Sequence, residues 1–177
     1  KAGGSFKEPP ALVRIDKKLP MLASINTQYG NPEVLQVKEV LKPMPKEKEI
    51  LVKIKATNVN RTDCAMLTAK PFIMRFLTGL FKPRNPILGT DFAGEIEAVG
   101  KGVTTYKIGD KIVGFEDMGI SSHAEHMTIS VKKGIAKMPQ NIPFDQAAAS
   151  IEGLHYAYNT INKVDLKKGQ KVLINGA

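Results

Sequence analysis

The polar run Asn58-Val59-Asn60-Arg61-Thr62-Asp63 follows directly on residues 50–56, in which Ile50, Val52 and Ile54 alternate with Leu51, Lys53 and Lys55. That alternation predicts a strand with one face mainly polar. Polar side chains at the end of a strand are well placed to face a cleft. Asn60 and Asp63 can also cap a following helix, Asp63 especially, and the two roles are compatible. His123 and His126 invite a metal reading. Three residues apart on a strand they point to opposite faces and do not share one ion, so surface or edge histidines are expected. Cys64 is the lone cysteine, which rules out an internal disulfide and a cysteine-built zinc site. A reducing, cytoplasmic setting suits such usage.

The elements that must position these groups centre on residues 86–114. Phe92, Ile96 and Val99 are apolar, with Glu95 and Glu97 on the polar face, so a half-buried strand is predicted. Gly100 and Gly102 permit the positive φ of a sharp reversal. Val103 and Tyr106 return toward the core, and Gly109-Asp110 makes a corner before the strand Lys111-Ile112-Val113. Short strands with dense glycine punctuation predict a small, strongly bent barrel.

Earlier in the chain, residues 1–20 show no periodicity. Gly3-Gly4 and Pro9-Pro10 read as flexible or extended chain, an N-terminal extension or an added segment. Residues 22–28 predict a first strand and Tyr29-Gly30-Asn31-Pro32 a turn, after which Val34, Leu35 and Val37 resume the strand. In residues 66–84, Ile73, Phe76, Leu77, Leu80 and Phe81 fall at helical spacing, with Lys70, Arg75, Lys82 and Arg84 interspersed. A short helix packed on the barrel is the favoured reading. An apolar flap and a basic amphipathic membrane contact are the alternatives.

Later, residues 123–129 and 135–138 predict strands. One helix is expected from Pro143, with Ala147, Ala148 and Ala149 as strong formers, and a second from near Glu152. Lys171-Val172-Leu173-Ile174-Asn175 reads as a strand ending in Gly176-Ala177.

The 177 residues, 42% apolar, suffice for one domain with a real core and are short for two. No apolar run approaches the roughly 20 residues of a membrane helix. The net charge of +9 comes from scattered lysines, which favours solvated surface charge over specific nucleic-acid binding.

Residues 21–177 resemble the medium-chain dehydrogenases/reductases, close to the zinc-independent quinone-oxidoreductase branch. The resemblance rests on the Pro86 to Gly114 stretch, on Asn60-Arg61-Thr62-Asp63 before it and on residues 165–177 after it, in the family's order. It implies a GroES-like β-barrel with peripheral helices over residues 21–145. Residues 146–177 would then supply linking helices and the first strand of a truncated α/β Rossmann domain. Gly176 and Ala177 would begin the phosphate loop that binds the dinucleotide. Asn60, Asp63 and Thr90 would line the cleft beneath the nicotinamide and substrate.

Zinc-dependent relatives carry Cys at the position of Asn60 and a His-Glu pair at Thr90-Asp91. Asn60 and Thr90 cannot replace a thiolate and an imidazole, so no zinc is expected. The resemblance therefore implies hydride transfer from NADPH or NADH to a quinone or α,β-unsaturated carbonyl, with a homodimer formed through the cofactor domain. His155 stands where the family often has Thr near the nicotinamide. It reads as a proton donor or as a packing histidine. Ala65 replaces a Tyr common in quinone reductases, which weakens the quinone assignment. No catalytic residue is assigned. The chain alone, lacking most of the dinucleotide site, is expected to be inactive. The runner-up is a non-enzymatic binding or scaffold module. Lipid or RNA binding through the basic surface ranks third, a weak membrane-surface contact among its forms.

Overall fold

A computed structural model describes residues 19–175. The expectation for residues 1–20 therefore falls almost wholly outside the described residues, as do Gly176 and Ala177. Two antiparallel sheets form the core of the molecule. β1 (Pro20–Ile25) pairs with β2 (Gln36–Leu41), Met21 opposite Val40. The strand thus ends earlier than residue 28, and Val34 lies in a 3₁₀ turn, Pro32–Val34.

The larger sheet holds β3 (Glu49–Ala56), β4 (Asp91–Val99), β5 (Lys111–Phe115), β6 (His126–Ser130) and β7 (Ile135–Lys137). Its order is β6-β3-β4-β5-β7, and all its pairs are antiparallel. The closed barrel is corrected to open sheets. β6 and the three-residue β7 lie at opposite edges and do not pair with each other. Single bridges, Ala23 to Ala124 and Ile25 to Ile87, are what join β1 to the loops flanking the larger sheet.

The core is the apolar face of that sheet. Ile50, Val52, Phe92, Ile96, Ile112, Met127 and Ile129 are buried together, with Val103 and Tyr106 half-buried against them. Burying each such side chain contributes about 1.5–3 kcal/mol. Leu51, expected on a polar face, is fully buried. β3 is an interior strand, flanked by β4 and β6, and its first half is covered on both faces. At the reversal after β4, Gly102 takes φ +78°, as a sharp turn requires. Gly100 serves differently, because a Cβ there would collide with the Lys46 carbonyl.

Three helices surround the sheets: α1 (Arg61–Thr68), α2 (Met74–Thr78) and α3 (Phe144–Ile161). The two helices expected after Pro143 are one, of 18 residues. Neither proline nor any other strong breaker separates Ser150 from Glu152, and Gly153 costs only about 1 kcal/mol within a helix. The first half of α3 buries Ala147 and Ala148 against Ala93 and Val113. Its second half leaves Leu154, Tyr158 and Ile161 exposed.

Residues 171–175 form no strand, contrary to the predicted one, and no neighbouring strand is present for them among the described residues. α2 is also not the packed helix expected. It has five residues and buries none of them, with Met74 alone settling half-buried on the Met66-Leu67-Leu88 cluster. No helix among the described residues is long and apolar enough to cross a membrane.

Candidate functional site

The end of β3 and the start of α1 create the site. The chain leaves β3 at Ala56 and enters α1 after Asn60, which sits in extended backbone with φ −116°. Asn60 Oδ1 accepts from the backbone N–H of Thr62 at 2.9 Å and of Asp63 at 3.1 Å. Asp63 Oδ2 accepts in return from Asn60 N at 3.1 Å. This reciprocal cap satisfies helix donors that would otherwise be orphaned. The Asn60 amide is left free to point away from the helix. Its Nδ2 donates to Thr90 Oγ1 at 2.5 Å and to Asp91 Oδ2 at 3.4 Å.

Asp63 and Asp91 are both buried. Asp63 Oδ1 also accepts from Gly89 N at 3.1 Å, and Asp91 Oδ1 accepts from Asn58 N at 3.3 Å. Burial raises the Asp63 carboxyl above its usual range, against the lowering effects of the Asn60 N–H, the His123 ring and the Gly89 N–H. Burial likewise raises Asp91, opposed by donors on Asn58 and Asn60 and reinforced by the Asp63 charge. Glu152 on α3 is raised as well, by burial first and then by the charges of Asp91, Asp63 and Asp117. Three carboxyls therefore converge on one region, each disfavoured as an anion.

His123 is not at the surface. It lies in the loop before β6, with its side chain 12% exposed, 3.9 Å from Asp63 Oδ2. Its Nε2 lies 2.9 Å from the Asn58 carbonyl. A carbonyl only accepts, so Nε2 carries the proton. His126 does lie on an edge strand, but it too is mostly enclosed, with Nε2 2.9 Å from Glu97 Oε2. The two histidines join separate carboxylates.

Of the predicted cleft residues, the structure brings Asn60, Asp63 and Thr90 together. Thr90 is fully buried behind the half-buried Asn60. His155 stands apart, exposed on α3, with its ring 5.2 Å from that of Phe115 and Nε2 3.0 Å from Asn159 Nδ2. Phe115 is the strand partner of Asp91, so His155 overlooks the same end of the sheet without touching the Asn60 network.

Thr57, Asn58, Ser122 and His123 are members that sequence reasoning missed. Thr57 Oγ1 donates to the Asp91 carbonyl at 2.7 Å and lies 3.0 Å from Ser122 Oγ. An open concavity of about 430 Å³ between β1 and β3 reaches Thr57, Ser122 and His123.

Comparison with known proteins then defines the class. Residues 46–140 match the alcohol dehydrogenase GroES-like domain. The quinone oxidoreductase of Homo sapiens is 32% identical over 158 residues, 85% of this chain and 44% of that protein. Quinone oxidoreductase 1 of Escherichia coli K12 is 33% identical over 153 residues, 85% of this chain and 43% of that protein. The structure of the Coxiella burnetii quinone oxidoreductase superimposes with a TM-score of 0.73 at 27% identity, over 85% of this chain and 47% of that one. The Escherichia coli quinone oxidoreductase solved with NADPH gives 0.67 at 32% identity, over 82% of this chain and 42% of that one.

The fold is thus a GroES-like domain followed by a partial Rossmann-like fragment. The chain belongs to the medium-chain dehydrogenase/reductase family and is quinone-oxidoreductase-like. It spans less than half the length of the curated relatives it matches.

Proposed function

We propose that the full-length protein is a zinc-independent oxidoreductase that uses NADPH or NADH to reduce a quinone or an α,β-unsaturated carbonyl. The observation that carries this is the network at Asn60. Asn60 donates its amide to the Thr90 hydroxyl and the Asp91 carboxylate, at the positions where zinc-dependent relatives carry a Cys and a His-Glu pair. Such a set lacks the thiolate and imidazole of a catalytic zinc centre. The relatives named quinone oxidoreductase, one of them solved with NADPH, support the cofactor and the acceptor.

The residues fit a nicotinamide in acceptor type. Asn58 Oδ1 is buried and has no partner among the described residues, so a hydrogen-bond acceptor stands unused beside the Asn60 network. A reduced nicotinamide held against this network would supply the hydride that the acceptor's electrophilic carbon takes up. The protein's own task is orientation. Asn60, with both amide hydrogens and its carbonyl engaged, is a rigid wall of that cleft. Asp63 fixes it from below, and Thr90 backs it. A quinone or enone delocalises the incoming charge over its conjugated oxygen, and water supplies the proton that completes the reduction. Gly176 and Ala177 are the proposed start of the phosphate loop.

The test is acceptor-dependent oxidation of NADPH and NADH by the full-length protein, with a naphthoquinone and a simple enone, before and after chelator treatment. Turnover with either acceptor, unchanged by the chelator, is expected. Asn60→Ala should lower kcat by about tenfold to a hundredfold, the scale of a misplaced reactant. Activity lost on chelation and restored by zinc would overturn zinc independence. Absence of any acceptor-dependent oxidation would leave a binding or scaffold role for the domain.

A further inference from the structure

Apart from Met74, residues 72–81 turn their large apolar side chains outward. Phe72, Ile73, Phe76, Leu77, Leu80 and Phe81 are all at least 44% exposed, and Phe81 reaches 86%. Six large apolar groups within ten residues form a contiguous patch, unlike the single exposed side chains of an ordinary surface. The patch is held in shape from beneath. Tyr29 Oη donates to the Gly79 carbonyl at 2.6 Å and lies 2.8 Å from Thr78 Oγ1. The Arg75 guanidinium sits 4.9 Å from the centre of the Tyr29 ring and donates to the Leu80 carbonyl at 3.3 Å. The rings of Phe72 and Phe76 meet edge to face at 5.8 Å. Several interactions therefore hold these groups where solvent meets them.

Charge identifies what they meet. Lys70, Lys82 and Arg84 are exposed or half-exposed around the patch. No Asp or Glu occurs between Cys64 and Thr90. Neither these three cations nor Arg75 has an ion-pair partner among the described residues. A second copy of the chain seated face to face would bring like charges together without a compensating anion. A nucleic acid has no use for Ile73, Leu77 and Leu80 at the centre. An anionic bilayer satisfies both halves: aromatic and aliphatic groups enter the headgroup boundary, and cations meet the lipid head groups.

We propose that residues 70–84 form a peripheral docking site for an anionic phospholipid bilayer. Phe72, Phe76 and Phe81 are the inserting groups, and Lys70, Lys82 and Arg84 bind the head groups. The site stands independently of the hydride chemistry, and its binding is read without cofactor or acceptor.

The experiment is co-flotation of the full-length protein with phosphatidylcholine vesicles, with and without phosphatidylserine, over a salt series. Enrichment on the phosphatidylserine vesicles at low salt, weakening as salt rises, is expected. The pair Lys70→Glu and Lys82→Glu should weaken it by roughly tenfold or more, because each reversal turns attraction to the anionic surface into repulsion. The pair Phe76→Ser and Phe81→Ser should abolish it at every salt concentration. None of these side chains is buried, so the thermal midpoint should hold in both variants. Absence of enrichment at low salt would overturn the proposal, as would undiminished binding by the phenylalanine variant. So would conversion of a dimer to a monomer by that variant, which would make the patch a subunit interface, or binding to RNA with none to vesicles.

Discussion

Asn60 and Asp63 hold each other by two hydrogen bonds of 3.1 Å, each side chain accepting from the other's backbone N–H. The same Asn60 amide reaches Thr90 and Asp91 on the neighbouring strand and the turn before it. One side chain thus starts α1 and also fixes where that helix stands against β4. The start of the helix and its placement against the sheet share a single joint.

Substitutions at Asn60 separate the two roles. Asn60→Ser keeps an acceptor for the helix donors but loses the amide that bridges Thr90 and Asp91. Asn60→Ala loses both. Alanine should cost about 1 kcal/mol more than serine in urea unfolding, the usual difference for a missing cap. Both should lower turnover by full-length protein similarly, because both remove the amide. Turnover in Asn60→Ser equal to that of the unaltered protein would show that the amide does not position the reaction.

Gly89 is the other joint. Its φ is +109°, and a Cβ there would lie 2.8 Å from the backbone nitrogens of Ser122 and His123, with Ser122 Oγ closer still. Its N–H binds Asp63 Oδ1. Gly89→Ala therefore combines backbone strain of about 1–3 kcal/mol with a forced shift of the 122–123 loop. A fall of several degrees in the thermal midpoint is expected, together with a shift of the His123 ring resonances. An unchanged midpoint would contradict the close packing at this loop.

The sequence made the joint at Asn60 and Asp63 legible, because a polar run after an alternating segment has one common structural use. It also showed β4 and the glycine corners at Gly102 and Gly109. Barrel closure was not legible, since it depends on which edge strands meet, and β6 and β7 do not. The enclosure of His123 was hidden for the same reason. Its partners, Asn58 and Asp63, are some sixty residues away in the chain. Asp91 was visible only beside Thr90 as a comparison with metal-binding relatives, and nothing local marked it as buried. The outward face of α2 was misjudged because helical spacing says which side chains share a face, not which way the face turns.

Asp91 should leave a mark on the pH dependence of stability. Burial raises its carboxyl in the fold, so between the unfolded value, about 4, and the raised value the native state binds more protons than the unfolded one. This group's contribution to stability is therefore full below about pH 4 and is lost as pH rises through the folded value. Asp91→Asn removes that loss. The difference in urea midpoint, variant minus unaltered protein, should become more favourable to the variant from about pH 4 to about pH 7. The absolute midpoint can still fall, because an amide at 91 turned toward Asn60 opposes one NH₂ to another. A difference that stays flat with pH would show that Asp91 titrates normally.

Glu97 and His126 pull the other way. Glu97 accepts from Lys42 Nζ at 2.5 Å and faces His126 Nε2 at 2.9 Å. Burial alone would raise the Glu97 carboxyl, but the hydrogen bond and charge of Lys42, with help from His126, outweigh it and hold it below the usual range. His126 is lowered, first by burial and then by the Lys42 charge, which together exceed the pull of Glu97. For Glu97 the stabilisation is present above the unfolded pKa and is lost as pH falls through the folded one. For His126 the unfolded chain takes up a proton below about pH 6.5 while the folded ring resists it, so stability again falls as pH falls. Glu97→Gln should destabilise at about pH 7, where the mostly buried Lys42 loses its counter-charge, and progressively less toward about pH 4. Glu97 is 38% exposed on its side chain, so salt should shrink the effect near neutrality. Measured together, Asp91→Asn and Glu97→Gln should show stability differences that change in opposite directions with pH. A common direction would mean that one of the two clusters is paired differently from the arrangement of Asn58 and Asn60 around Asp91, or of Lys42 and His126 around Glu97.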